Sequence, residues 1–162
     1  MVEYNRHKIS LFTTSLFVLG RGPCQNYGAK RARGPLLVFL HADTELPYEW
    51  DGKVRRALKE EGVTAAAFNF GIRSEENMPR GIKAVESTAN WRTRLYNLPY
   101  GDQCLSIRRD VFKFIGGFPA NCLMEDYDLV GLLRLRAAVL NENIKIIPGD
   151  PARCDASYPG GP

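Results

Sequence analysis

The feature that most constrains the fold is an unbroken apolar run, L-L-V-F-L at 36–40, which ends abruptly at the polar sequence H-A-D-T. A run of this length without alternation is typical of a strand that is covered on both faces, as in a parallel sheet. A second buried strand is predicted at 63–70, and shorter strands are predicted at 104–108 and 144–147. Because helical segments separate these strands, the sequence predicts an α/β fold with a mostly parallel sheet and helices on both faces.

Glycine and proline boundaries predict the helices between the strands. The clearest helix spans 126–138, and its leucines are expected to form one apolar face toward the core: Leu129, Leu132, Leu133 and Leu135. The other helices are predicted at 21–34, 50–61, 81–96 and 110–115. We therefore expect one domain over 1–162, with irregular structure at 1–15 and 150–162.

The composition is that of an ordinary soluble globular protein, with 44% hydrophobic and 25% charged residues, and it excludes disordered, collagen-like and coiled-coil chains. The net charge of +4 suits a phosphate-bearing ligand but is too small to indicate nucleic acid, so no nucleic-acid partner is expected. The sequence contains no G-x-x-x-x-G-K-[ST], G-x-G-x-x-G or G-x-S-x-G motif. With only two histidines, a Ser-His-Asp or Cys-His hydrolase is poorly supported.

The cysteines and the N-terminal segment bear on the cellular compartment. Four cysteines without C-x-x-C spacing argue against a zinc site and favour free thiols in a reducing, cytoplasmic setting. The longest apolar stretch, 9–20, is shorter than the roughly 20 residues that a transmembrane helix needs. The basic residues before it leave open a signal or anchor role for 1–20, and with it a peripheral association with membranes.

Asp43 follows the first apolar run, at the place where ligands bind in open α/β sheets, beyond the carboxyl ends of the strands. A carboxylate in this position can bind a divalent ion, and the ion can bind substrate phosphates. The alternative is that Asp43 and Thr44 only begin a turn or cap the next helix.

A second group of carboxylates lies in M-E-D-Y-D-L at 124–129, where the last long helix is predicted to begin. Acidic residues are favoured at helix N-termini on electrostatic grounds alone, so a purely structural role is the competing interpretation. The functional interpretation is a general base held by a rigid helix. The preceding segment, G-G-F-P-A-N-C-L, favours the functional interpretation because it is a glycine-rich turn followed by an apolar stretch and not a run of solvated charges.

The third candidate segment, Y-G-D-Q at 100–103, comes directly before a predicted strand. Gly101 in this segment permits unusual backbone angles and the close approach of other groups. The competing interpretation is an ordinary turn into the strand.

The order of these segments resembles that of glycosyltransferase family 2. In chain order they read R-G-P-C-Q-N-Y-G-A, L-L-V-F-L-H-A-D-T-E-L-P, L-P-Y-G-D-Q-C-L-S-I-R-R-D-V-F and G-G-F-P-A-N-C-L-M-E-D-Y-D-L. The likeness spans 16–147 and is greatest to short bacterial-type members. It implies a GT-A fold and a metal-assisted, inverting transfer of a sugar from a nucleotide-diphospho-sugar donor to a hydroxyl acceptor, either a saccharide or a lipid-linked compound.

The resemblance also implies roles for individual residues. The metal-binding motif, for Mn²⁺ or Mg²⁺, falls on Asp43 and His41, and the motif that holds the catalytic base falls on Asp126 and Glu125. The segment that borders the nucleotide falls on Arg21, Gln25, Asn26 and Gly28. The segment that lines the sugar and acceptor pocket falls on Gly101, Asp102 and Gln103.

Members of this family begin with a nucleotide-binding strand of the type I-P-x-x-N-E, which is missing from this sequence. We therefore expect a GT-A-type sheet without its N-terminal strand, and weaker nucleotide affinity. An inactive, truncated protein that binds nucleotide-sugars is the main alternative function. A nucleotidyltransferase is a weaker one, since no G-x-G-T/S-R-type loop occurs near the start.

Overall fold

The computed structural model describes residues 20–73, 81–120 and 124–154, and in these ranges the chain forms helices around one five-stranded sheet. The strands are β1 Leu36–Phe39, β2 Thr44–Glu45, β3 Val63–Ile72, β4 Leu105–Arg108 and β5 Asn143–Cys154. The helices are α1 Arg21–Arg31, α2 Trp50–Ala57, α3 Ile82–Tyr96, α4 Arg109–Phe114 and α5 Glu125–Leu140, and a 3-10 turn spans Gly101–Gln103. None of the helices in the described ranges is long and apolar enough to cross a membrane.

The strand order is β1-β4-β3-β5-β2, and the sheet is mixed. Only β3 and β5 pair in parallel, whereas β1 with β4, β4 with β3, and β2 with β5 are antiparallel. The expectation of a mostly parallel sheet is therefore wrong. An unbroken apolar run indicates that both faces of a strand are covered, but it does not indicate the direction of the neighbouring strand.

Helices cover both faces of the sheet, as the sequence predicted. Neighbouring residues of β3 show this, because Ala65 packs in the cluster that includes α4 and α5, and Ala66 packs in the cluster that includes α2. Both alanines are 0% exposed. Because side chains alternate along a strand, the two alanines lie on opposite faces of the sheet, so both faces of the central strand are buried.

Two details of the fold differ from the sequence predictions. β5 continues to Cys154, so 150–154 is strand and not irregular. A bulge between the β5 partners of Phe68 and Phe70 contains Pro148 and Pro151, which the bulge accommodates within the strand. The leucines of α5 do not share one face. Leu129 and Leu133 are buried, whereas Leu135 is 68% exposed.

Candidate functional site

His41 lies just beyond the end of β1, in the tight turn that leads into β2. The backbone N–H of Thr44 donates to the His41 carbonyl at 3.2 Å, which closes this turn. The imidazole is half-buried, and its Nε2 is buried without a hydrogen-bond partner among the described residues. A buried, unpaired ring nitrogen is costly, so this atom is a candidate for contact with a ligand.

Gly101 brings His41 and Asp126 together, although these residues come from widely separated segments. A Cβ on Gly101 would lie 2.4 Å from His41 Nε2 and 3.3 Å from Asp126 Oδ2. The Gly101 N–H donates a hydrogen bond of 3.0 Å to the same Asp126 oxygen. Since the φ of Gly101 is not positive, glycine is required here by the lack of space and not by the backbone conformation.

Asp126 stands in the first turn of α5, where the helix dipole stabilises a negative charge. Its Oδ1 accepts the Tyr127 N–H at 2.9 Å, so each carboxylate oxygen is held by one backbone N–H. The residue is half-buried. The carboxylate is therefore fixed in orientation and retains lone pairs for a further proton or hydroxyl, which is what a general base requires.

Asp102 lies beside this group in the 3-10 turn. Burial raises the pKa of the Asp102 carboxyl; the charge of His41 opposes this rise, that of Asp126 adds to it, and that of Arg92 opposes it. Its Oδ1 is buried and lacks a hydrogen-bond partner within the described ranges. Arg92 is fixed nearby by stacking over the Tyr100 ring, 3.8 Å from the ring centroid.

The Asp102→Asn variant should be more stable than the parent near neutral pH. In the parent, the folded state raises the pKa of Asp102, so the ionised carboxylate lowers the free energy of unfolding above that raised pKa. This loss of stability disappears as the pH falls below the ordinary pKa of 3.8. The gain in melting temperature should therefore shrink on acidification. Thermal unfolding at neutral and mildly acidic pH measures this, and a gain that grows as the pH falls would contradict it.

Asp110→Asn is the matched control and should show the opposite sign. A side-chain hydrogen bond from Arg108 lowers the pKa of Asp110. Its ionised form therefore contributes stability that is present above the unfolded-state pKa and is lost as the pH falls through the lower folded-state pKa. The pair is exposed, so the loss in this variant should be small.

Gln103 joins the 3-10 turn to the core through its side chain. It is 1% exposed. Its Nε2 donates to the Phe68 carbonyl of β3 at 3.0 Å, and its Oε1 accepts from Thr93 Oγ1 and the Tyr100 N–H. Gln103 therefore lies in the core and ties the turn to β3 and α3, and its implied place in the sugar and acceptor pocket stays a prediction. Thr93 and Arg92 of α3 were missed by the sequence analysis, because nothing in W-R-T-R distinguishes them.

Glu125 is adjacent to Asp126 but has a different environment. It is 0% exposed and forms an ion pair with Arg21, in which Nε lies 3.0 Å from Oε1 and Nη2 donates to Oε2 at 3.4 Å. A buried carboxylate that is paired in this way holds α1 against α5. The catalytic role that the resemblance implies for Glu125 stays a prediction. Arg21, for which the resemblance implied donor binding, and Glu125, for which it implied catalysis, thus form an ion pair with each other.

Two of the other α1 residues with implied roles form hydrogen bonds within the protein. Asn26 makes two hydrogen bonds to the backbone of Phe118, at 2.8 and 2.9 Å. The Gly28 carbonyl accepts the Ala32 N–H at the end of α1. Gln25 differs, because its Oε1 is buried without a partner among the described residues. Sequence reasoning missed Gly22, where a Cβ would lie 2.8 Å from the Pro119 carbonyl and push the two segments apart.

Asp43 is half-buried in the turn that also holds His41. Within the described ranges, no group of three or more His, Cys, Asp or Glu side chains is arranged to hold a metal ion. Mg²⁺ and Mn²⁺ in nucleotide sites are bound by one or two carboxylates, completed by substrate phosphates and water. The donor chemistry and position of Asp43 fit that kind of site.

Cys104 directly follows the 3-10 turn of the candidate site. Cys104 is buried with a free thiol, and burial raises its pKa to about 12, which makes it unreactive. The predicted thiol at 122 lies outside the described residues.

Comparison with known proteins identifies the family. The sequence model of glycosyl transferase family 2 matches residues 18–116, which is more than half of the chain. The chain therefore belongs to glycosyltransferase family 2, and the GT-A-type α/β fold that the resemblance implied is confirmed, with a mixed sheet. The matched span contains His41, Asp43 and Gly101 but ends before Asp126.

Among solved structures, the chain is similar to the mannosyltransferase PcManGT from Pyrobaculum calidifontis in complex with GDP-Man and Mn²⁺. The identity is 19% and the TM-score is 0.49. The alignment covers 87% of this chain and 37% of that one, so the chain spans less than half the length of this neighbour. No curated protein matches the chain.

Proposed function

We propose that the protein transfers a sugar from a nucleotide-diphospho-sugar donor to a hydroxyl acceptor, with inversion and with the help of a divalent metal. The observation that carries this proposal is the approach of His41 and Asp126 to the same residue, Gly101, in a chain of glycosyltransferase family 2. A fixed carboxylate and a side chain from the turn that contains Asp43 therefore border the same glycine. The acceptor is a saccharide or a lipid-linked compound.

Asp126 acts as the general base. The two backbone N–H groups keep its carboxylate in place, and a free lone pair takes the proton from the acceptor hydroxyl as that oxygen attacks the anomeric carbon. Direct displacement from the side opposite the departing diphosphate inverts the configuration at that carbon. Holding acceptor and donor in this alignment contributes to the rate in addition to proton transfer.

Asp43 is the residue that would hold Mn²⁺ or Mg²⁺, through its carboxylate oxygens. When bound, the ion offsets the negative charge that develops on the leaving diphosphate. His41 is better suited to the organic part of the donor, because its unpaired Nε2 faces Gly101 and Asp126.

Three buried polar atoms without partners among the described residues could receive hydrogen bonds from, or donate them to, the substrates. They are His41 Nε2, Asp102 Oδ1 and Gln25 Oε1. Ribose and sugar hydroxyls both donate and accept, so they are suitable partners for all three atoms. Arg21, Asn26 and Gln103 contribute by holding α1 and the 3-10 turn in place.

Asp43→Ala tests the proposal through donor binding. Titration with a panel of nucleotide-sugars should show that Mn²⁺ strengthens binding of one donor to the parent. In the variant this strengthening should be lost, with about 100-fold weaker affinity, or ~2.7 kcal/mol. Asp150→Ala is the matched control, because that carboxylate is 70% exposed and lies outside the site. Equal metal-dependent affinity in Asp43→Ala and the parent would refute the role of Asp43.

Turnover separates the proposed activity from its alternatives. The parent should release nucleoside diphosphate from the bound donor when acceptor is added. Donor binding without any such release would identify a binding protein. Release of pyrophosphate from a nucleoside triphosphate would identify a nucleotidyltransferase.

A further inference from the structure

Helices α3 and α5 present an apolar surface that no other described residue covers. We name it the α3–α5 surface, and its side chains are between 36% and 81% exposed: Val85, Trp91, Leu95 and Tyr96 of α3, and Leu132, Leu135, Val139 and Leu140 of α5. Single exposed apolar residues are normal, but a contiguous patch of this kind marks an interaction site.

The two helices contribute to one continuous surface. Leu95 and Tyr96 face Leu135 and Ala138 across an open groove of about 670 Å³. On the α3 side, the Trp91 and Tyr96 rings are in edge contact, with centroids 6.4 Å apart. Leu95 and Tyr96 of α3 and Leu135 of α5 therefore line one groove, and Trp91 extends its apolar border on the α3 side.

The exposed charged side chains of the two helices are basic. Helices α3 and α5 contain five basic and four acidic side chains, an excess of one positive charge. The four acidic side chains are buried or half-buried, and two of them are engaged, since Glu86 accepts the Ile72 N–H and Glu125 pairs with Arg21. Lys83, Arg94 and Arg134 are exposed. The partner should therefore be apolar and negatively charged.

We propose that the α3–α5 surface docks on the headgroup region of an anionic phospholipid bilayer. Exposed Trp, Tyr and aliphatic side chains bordered by Lys and Arg are the composition of helices that lie in a membrane interface. A second copy of the chain fits less well, because a symmetric contact would place the exposed basic side chains of one copy against those of the other. The helices lie on the bilayer and do not cross it, as α3 has 15 residues and α5 has 16.

Vesicle binding with a fluorescence readout tests the proposal. Vesicles of phosphatidylcholine mixed with phosphatidylserine are compared with vesicles of phosphatidylcholine alone. The chain has two tryptophans, so Trp50→Phe leaves Trp91 as the only tryptophan reporter. Its emission should shift to shorter wavelength with the mixed vesicles, because the ring leaves water, and added salt should weaken the binding.

Two sets of variants assign the binding to this surface. Leu135→Ser combined with Val139→Ser should lower partitioning by about tenfold or more, and Arg134→Gln should lower it by about fivefold on anionic vesicles only. Tyr48→Ser and Lys59→Gln are matched controls, because both residues are exposed and lie outside the surface, and they should bind like the parent. Unchanged circular dichroism spectra verify that each variant is folded.

Several outcomes would overturn the proposal. One is the absence of binding to the mixed vesicles in the parent. Another is binding that the surface variants leave unchanged. A dimer in sedimentation that the Leu135→Ser, Val139→Ser variant dissociates, with no vesicle binding by the parent, would identify a second copy as the occupant. The proposal does not depend on sugar transfer, so an inactive chain that binds the vesicles would still support it.

Discussion

Asp126→Asn is expected to lower the rate of sugar transfer by about 10²- to 10⁴-fold, which is the usual contribution of a general base. The affinity for the donor should change by no more than about twofold, because the base contacts the acceptor hydroxyl and not the nucleotide. Rates of nucleoside diphosphate release at saturating acceptor, together with donor titrations, measure the two effects separately. Such a split between turnover and binding is not expected of a residue that only stabilises the fold.

The substitution is informative because it removes the proton acceptor with little change in shape. An asparagine oxygen can accept the Gly101 N–H as the Asp126 carboxylate does at 3.0 Å, so the contact between α5 and the 3-10 turn is retained, whereas the local bond from the Tyr127 N–H is lost because Nδ2 cannot accept it. Asp128→Asn is the matched control, since it removes a charge from the same first turn of α5. Near-normal turnover in Asp126→Asn, or an equal loss in Asp128→Asn, would show that Asp126 is not the base.

The positions of β1, β3 and β4 could be predicted from the sequence because each is a short, largely apolar segment with turn residues on either side. β2 was not predicted, and β5 extends beyond the predicted 144–147 to Asn143–Cys154. The run at 36–40 appears as β1 at Leu36–Phe39, and the run at 63–70 appears as β3 at Val63–Ile72. Their directions could not be predicted in this way. β1 pairs with β4 in antiparallel fashion through contacts more than 60 residues apart, and nothing local in either strand encodes that pairing.

In the candidate site too, the local sequence indicated the residues, but their environments depend on contacts between distant segments. The residues of M-E-D-Y-D-L do not by themselves distinguish its three carboxylates, and the resemblance implied Asp126, next to Glu125, as the base. The fold buries Glu125 against Arg21 and leaves Asp126 half-buried beside Gly101. The difference arises from the packing of α1 on α5, which the sequence of this segment does not contain. The sequence indicated only that Gly101 permits a close approach, with an ordinary turn as the alternative; that His41 and Asp126 are its neighbours required the structure.

Gly101→Ala is the second variant with a large expected effect, and it tests the convergence itself. The new methyl group would lie 2.4 Å from His41 Nε2 and 3.3 Å from Asp126 Oδ2, so the imidazole or the 3-10 turn has to move. Overpacking of this kind costs about 1–3 kcal/mol of stability. A displacement of about 1 Å between a base and its substrate costs about 10²-fold in rate. Thermal unfolding and turnover should therefore both show a loss.

Gly131→Ala is the matched control for the added methyl group. No atom lies within 4 Å of a Cβ at Gly131, which is inside α5. Replacing glycine by alanine in a helix interior should raise stability by about 1 kcal/mol and leave turnover as it is. If Gly101→Ala behaves like Gly131→Ala, the space at Gly101 is not occupied as the structure describes.

A double variant separates the clash at Gly101 from a general effect of alanine in the turn. His41→Ala removes the ring that the new methyl group would meet, so Gly101→Ala should cost much less stability in that background than in the parent. The resulting coupling energy, about 1–2 kcal/mol in a double-mutant cycle, measures the contact between the end of β1 and the 3-10 turn directly. Additive losses would mean that the two residues do not touch, and the site built on their contact with Asp126 would then lose its geometric basis.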